Sequence, residues 1–226
     1  MGTLYLVRHG QASFGAADYD QLSDLGARQC ERLGAWFRSR GVAFDAVLTG
    51  TLKRHAQSLA ALEAGLGTRH EAQAWPGLNE YDSEAVVHAV HPGTLPAPDT
   101  PEAVRQHFRL LRQGLAAWMA GQVQPAGLPP HADWVAAIVA ALDHVRAEHA
   151  DGDVLIVSSG GPISHAVGQV LGLGADAVIE LNLYLRNSAL CEFKVSPKRH
   201  TLLSFNTLPH LDSLPAPEHA AWVTYA

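Results

Sequence analysis

An unbroken apolar run close to the N-terminus, Thr3-Leu-Tyr-Leu-Val-Arg-His-Gly10, ends in an arginine, a histidine and a glycine. Apolar residues in continuous rather than alternating order read as a strand buried on both faces, as in the interior of a parallel sheet. Such a strand presents its last side chains at the C-terminal edge of the sheet, where open α/β folds bind ligands. Here those side chains are Arg8 and His9. The length of 226 residues suits one sizeable α/β domain over 1–226, and 47% hydrophobic residues supply a full core.

The rest of the chain keeps a strand–turn–helix rhythm. Residues 10–21 form a polar loop. Ser23 is placed to cap a helix carrying Leu25, Cys30, Leu33 and Phe37, which Gly41 ends. Residues 44–49 predict a second strand, Gly50-Thr51 a turn, and Leu52 to Ala64 a helix. Gly152 to Gly161 repeats the opening pattern, an apolar strand followed by small polar residues and glycines, with a helix expected over 163–172. Residues 188–195 and 200–206 read as a closing strand pair. This order predicts a three-layer α/β/α sandwich with a mostly parallel sheet and right-handed crossovers. Residues 81–131 break the rhythm. A loop over 92–101 precedes an amphipathic helix marked by Val104, Phe108, Leu111, Leu115 and Trp118, and a second break spans 125–130. This stretch is expected to be a helical insertion lying over the active-site edge as a lid. Trp134, Ile138, Leu142 and Val145 mark the next helix.

Composition narrows the function. A formal net charge of -6 argues against general binding to nucleic acid or an anionic membrane. No run approaches the roughly 18–20 apolar residues of a membrane helix, and the expectation is a soluble, cytoplasmic protein. Cys30 and Cys191 are no disulfide framework and read as small buried hydrophobes. The chain has thirteen histidines, none at a convincing metal-ligand spacing, so no metal is expected. Most of them read as surface or helix residues; His55, next to Arg54, reads as solvated, with support of the pocket as the alternative. Oligomeric state is left open.

Three strand tips carry unusual residues: Arg8-His9-Gly10, Thr49 to Arg54, and Ser158 to Gly161. In a parallel sheet they share one edge. Two guanidiniums, Arg8 and Arg54, offer the paired donors that match phosphoryl oxygens. His9 between them is a candidate nucleophile, because flanking cations hold its imidazole neutral. Gly160-Gly161 lets the backbone approach an anion at a helix N-terminus. Gln11, Ser13 and Ser159 are further candidate phosphate contacts. Glu80, after Leu78-Asn79, is a candidate general acid for a leaving alcohol, with Asp82 and Glu84 as alternatives.

On these residues the chain resembles a family. Val7-Arg-His-Gly10, Leu22-Ser-Asp-Leu-Gly26 with Gln29, Leu52-Lys-Arg54, Leu78-Asn-Glu80, Val157 to Gly161 and Asn187-Ser188 are similar to successive blocks of the histidine phosphatase (phosphoglycerate mutase-like) superfamily. The resemblance implies a covalent phosphohistidine mechanism on a small phosphorylated substrate, with no metal or organic cofactor. His9 would take the phosphoryl group, Arg8 and Arg54 would hold its oxygens, and Glu80 would donate the proton. One position departs from the pattern. Where the family has Ser-His-Gly-Gly, this chain has Ser158-Ser159-Gly160-Gly161. A slow phosphatase, a phosphoglycerate mutase-type phosphotransferase and a non-catalytic phospholigand-binding relative are all compatible with these residues. A nucleotide-binding α/β protein would need a Gly-x-Gly-x-x-Gly turn or a Walker-type lysine loop, and the chain has neither.

Overall fold

The computed structural model describes residues 1–13, 20–93 and 100–225. Parts of the loops expected over 10–21 and 92–101 lie outside the described residues. The first strand, β1 (Thr3–Arg8), runs down the middle of the sheet. It is followed by α1 (Asp24–Ser39), β2 (Ala46–Thr49), α2 (Lys53–Leu66), the two-residue β3 (Gln73–Ala74) and a 3-10 turn, Pro76–Leu78. Then come α3 (Ser83–Val90), α4 (Pro101–Met119), α5 (His131–Glu148), β4 (Asp153–Ser158) and α6 (Gly160–Leu171). The chain ends with α7 (Ala175–Tyr184), β5 (Leu190–Ser196), β6 (Arg199–Thr207) and α8 (Ala216–Trp222).

The strands form one sheet in the order β3-β2-β4-β1-β5-β6. β3, β2, β4 and β1 are mutually parallel, whereas β5 and β6 are antiparallel additions on the other side of β1. Side-chain alternation divides the core in two. Tyr5, Val7, Val47, Leu155 and Val157 face α1 and α2, where they meet Cys30, Leu33, Phe37, Leu59 and Leu62. Leu4, Leu6, Leu48, Val154 and Ile156 face the other way, onto Trp118, Trp134, Ile138, Leu142, Ile163 and Val167. The architecture is therefore a three-layer α/β/α sandwich. Each such aliphatic side chain, fully buried, contributes about 1.5–3 kcal/mol.

Ser23 caps α1 as expected: its Oγ accepts the Gly26 N–H at 3.0 Å. Other boundaries differ from the expectation. α6 begins at Gly160 rather than at 163, because the first turn of a helix needs no intrahelical N–H partner and so accommodates two glycines and Pro162. α3, α7 and α8 were not expected. α3 has a readable cap: Asp82 Oδ1 accepts the N–H groups of Glu84 and Ala85. That use as a cap accounts for Asp82, read above as an alternative acid. Phe108, assigned to the apolar stripe of α4, is exposed, and Leu111, Gly114, Leu115 and Trp118 make the buried face.

The loop after β1 crosses the start of α1 at backbone contact. A Cβ on Gly10 would lie 2.2 Å from Gly26 O, and one on Gly26 would lie 2.1 Å from Gln11 O. This crossing fixes the direction in which the chain leaves β1. The substitution Gly26→Ala is expected to lower the unfolding free energy by about 1–3 kcal/mol through overpacking, measured by chemical denaturation; an unchanged midpoint would show that the crossing is loose.

Candidate active site

Four groups expected to converge do so at the C-terminal edge of the parallel strands. β1 and β4 pair with Arg8 opposite Ser158, and the His9 N–H donates to Ser158 O at 2.9 Å. His9 O accepts the Ser188 N–H at 3.1 Å, and the Gly10 N–H donates to Ser58 Oγ at 3.0 Å. The His9 imidazole is thus carried on a backbone held from β4, from the segment before β5 and from α2. Its Nδ1 lies 2.7 Å from Gly10 O. A carbonyl only accepts, so Nδ1 bears the proton and Nε2 keeps its lone pair.

The surroundings keep that lone pair available. Burial, followed by the positive charges of Arg8 and Arg54, holds the His9 pKa well below the ordinary 6.5. Both guanidiniums are anchored. Arg8 Nη1 donates to Leu185 O. Arg54 Nη1 pairs with Asp20 Oδ1 at 2.9 Å, and the same carboxylate accepts the Lys53 N–H at the start of α2 at 2.9 Å. A carboxylate here complements the helix dipole and orients the arginine.

Glu80 comes from the turn before α3 and reaches the start of α6. Both carboxyl oxygens lie 3.1 Å from the Gly161 N–H. Glycine at 161 leaves room for this contact: a Cβ there would be 2.2 Å from Glu80 Oε1 and would push the carboxyl aside. Burial pushes the Glu80 pKa up, opposed in turn by the Gly161 hydrogen bond, Arg54 and Arg8. An acid whose charged form is disfavoured beside a histidine whose charged form is disfavoured is an arrangement suited to proton transfer around an anion.

Gln11 presents its Oε1 to Ser23 Oγ at 2.9 Å and its backbone N–H to Gln29 Oε1 at 2.9 Å. Ser13 bonds through its N–H to Gln21 O at 2.7 Å. Gly160 starts α6, beside Glu80. Ser159 Oγ lies 2.7 Å from His55 Nε2. His55, read above as solvated, is fully buried in the site. The alternative, a place beside the pocket next to Arg54, is where the ring lies, closed over by a residue 104 positions away in the chain. Asp20, Ser58 and Asn79 also went unassigned. Asn79 ties the turn after β2 in place, its Oδ1 accepting the Thr51 N–H and its Nδ2 donating to Thr51 Oγ1, both at 2.6 Å. Thr49 Oγ1 donates to Gly50 O at 3.0 Å. A groove at the opposite edge of the sheet, lined by Asp45, Asp143, Arg146, His149, Asp151 and Gly152, mixes both charge signs and lies away from His9.

A sequence profile described as the histidine phosphatase superfamily (branch 1) matches residues 4–208. The chain belongs to this superfamily. A 2,3-bisphosphoglycerate-dependent phosphoglycerate mutase of Methylorubrum populi is 37% identical over 92 residues, which cover 35% of this chain and 41% of that relative. The matched region thus spans about two fifths of the relative's length. Among solved structures, Bacillus stearothermophilus YhfR superposes with a TM-score of 0.68 at 19% identity, covering 93% of this chain and 99% of that one. A phosphoserine phosphatase of Entamoeba histolytica, in complex with phosphoserine, gives 0.63 at 18% identity, with 93% and 100% covered. These likenesses establish the histidine phosphatase fold for the chain. No helix among the described residues is long and apolar enough to cross a membrane.

Besides His9, the buried histidines include His55 and His210, both held down to about 3, and His165, held at about 4, in each case chiefly by burial. Such residues stay neutral in the fold and take up protons on unfolding. Stability is therefore full above about pH 6.5 and falls as the pH drops toward the folded values, by up to about 1.4 kcal/mol per pH unit for each histidine concerned. His210 bonds Ser188 Oγ through Nε2 at 3.0 Å. Replacing it by Gln is expected to flatten the slope of unfolding free energy between pH 4 and 6 by about one proton; an unchanged slope would contradict its neutral burial.

Proposed function

We propose that the protein hydrolyses phosphomonoesters through a phosphoryl-His9 intermediate. The observation that carries this reading is a neutral imidazole of fixed tautomer, its Nε2 unprotonated, set within the fields of Arg8, Arg54 and a Glu80 carboxyl of raised pKa. His9 Nε2 attacks phosphorus in line with the ester oxygen. The N–P bond forms, the P–O bond breaks, and Glu80 gives its proton to the departing alkoxide. Water then attacks the phosphohistidine, its proton passing to the Glu80 carboxylate. Phosphate leaves and His9 returns neutral. Arg8 and Arg54 hold the equatorial oxygens, where phosphoryl transfer concentrates charge. The α6 N-terminus at Gly160, with Gln11, Ser13 and Ser159, completes the anion site. No step calls for a metal or organic cofactor.

The substrate class is a small phosphorylated molecule. The Entamoeba enzyme with phosphoserine supports this, as does the mutase relative. Hydrolysis is preferred to mutase transfer because a mutase must recognise both ends of its acid, and no additional cationic cluster for that purpose was read in the sequence. In the region of the expected lid, Arg105 and Arg112 pair with Glu102 and Glu180 on exposed surface. That use favours α3 and α4 as a cover that shapes access over a charged clamp. Ser159, where the family pattern has a histidine, removes one charged donor. A lost donor of this kind costs about 10²–10³ in rate, so slow turnover is expected.

Two measurements test the reading. With an aryl phosphate, His9→Ala should abolish phosphate release; equal release by variant and wild type would leave a binding protein at most. The pH profile of kcat/KM should be a bell. Its acid limb reports His9 and lies below 6.5, and its alkaline limb reports Glu80 and lies above the ordinary 4.5. Glu80→Gln should remove the alkaline limb. An activity that rises through pH 6.5 would contradict the neutral nucleophile.

A further inference from the structure

Ser159 and His55 form a contact that the phosphatase mechanism above does not use. Ser159 follows β4 and stays extended, with φ -119° and ψ 174°, so the alternation of the strand continues through it. Val157 faces α1 and α2, and Ser158 turns the other way to donate its Oγ–H to Leu78 O at 2.7 Å. Ser159 is therefore on the α1–α2 side, as is His9, which follows Arg8, the β1 partner of Ser158. From that side α2 delivers His55. Its ring centroid lies 5.9 Å from that of His9, and its Nε2 lies 2.7 Å from Ser159 Oγ.

The hydrogen-bond arrangement fixes which group donates. His55 Nδ1 is buried and has no hydrogen-bond partner among the described residues. It packs against the turn after β2, where a Cβ on Gly50 would come within 2.2 Å of it. A buried N–H without an acceptor is rarer and costlier than a lone pair without a donor, so the proton resides on Nε2. Nε2–H then donates to Ser159 Oγ. The serine's own hydrogen is left to seek another acceptor, and among the described residues no acceptor for it is found other than this ring.

We propose that His55 and Ser159 act as a relayed donor at the phosphoryl group: the imidazole orients the serine hydroxyl, which donates its hydrogen to a non-bridging oxygen of the phosphoryl group on His9. Ser159 is then the catalytic residue and His55 its positioning residue. The relay supplies, from a neutral pair, a hydrogen bond that strengthens as charge grows on the oxygens. A fully buried imidazole, held close to 3 by burial and by the Arg54 charge, stays neutral across the working range, so the relay keeps one protonation state there. The inference rests on the phosphohistidine reading.

Steady-state kinetics on p-nitrophenyl phosphate test it, with thermal midpoints measured alongside. His55→Ala and Ser159→Ala should each lower kcat about 10- to 100-fold while KM changes less than about threefold, the double variant falling no further than the worse single one. His55→Gln, which can still present an N–H, should recover part of the loss. Ser159→His alone should give no gain, because the His55 ring occupies the neighbouring space, whereas Ser159→His in a His55→Ala background should exceed His55→Ala. If His9→Ala is inert and His55→Ala retains wild-type kcat with a lowered midpoint, His55 is only structural and the relay falls. Additive losses in the double variant would also overturn it. If His9→Ala retains wild-type activity, or the wild type has none, the phosphatase reading fails first.

Discussion

The chemistry at this edge depends on the backbone of His9 being held from several directions at once. β4 accepts its N–H, the segment before β5 donates to its carbonyl, and Ser58 of α2 accepts the next N–H. The close crossing of Gly10 over Gly26 leaves the chain one exit. The proposed nucleophile must sit within a few tenths of an ångström of its in-line position, and a side chain on a strand tip so held has little freedom to leave it. The fold makes this possible because β1 is central, with partners on both sides.

Electrostatics then follow from burial. Two guanidiniums near an imidazole would be repelled by its charged form, and burial works in the same direction, so His9 remains a free base. The same burial acts on Glu80 with the opposite chemical result, favouring its protonated form. Asp20 moderates the arrangement by pairing with Arg54 at the head of α2. Under the proposed function, an anion entering the site would offset the positive charge of these two guanidiniums.

The sheet and its two faces were legible from residue order. β1 and β4 are continuous apolar runs, Ser23 is an N-cap, and the antiparallel pair at 190–207 shows strand patterning. The convergence of residues 8, 9 and 54 followed from placing strand tips on one edge, whereas Glu80 was picked out separately as a carboxyl after Leu78-Asn79. What could not be read was contact between positions distant in the chain. Asp20 is unremarkable beside its neighbours, and the contacts that His55 and Asp20 make exist only because α2 packs over the tips of β1 and β4. Short helices also escaped. α7 has a glycine at its N-cap and buries only Val178, Ile179 and Asn182, too few to mark a period. The Asp82 cap of α3 was visible, but was read as chemistry rather than as a helix start.

A crystal structure of the protein grown with orthovanadate would test the central claim most directly. The account predicts a trigonal-bipyramidal vanadium bonded to His9 Nε2, its equatorial oxygens on the Arg8 and Arg54 guanidiniums and an axial oxygen facing Glu80. Vanadate bound elsewhere, or held in the cleft without a bond to the His9 imidazole, would contradict it.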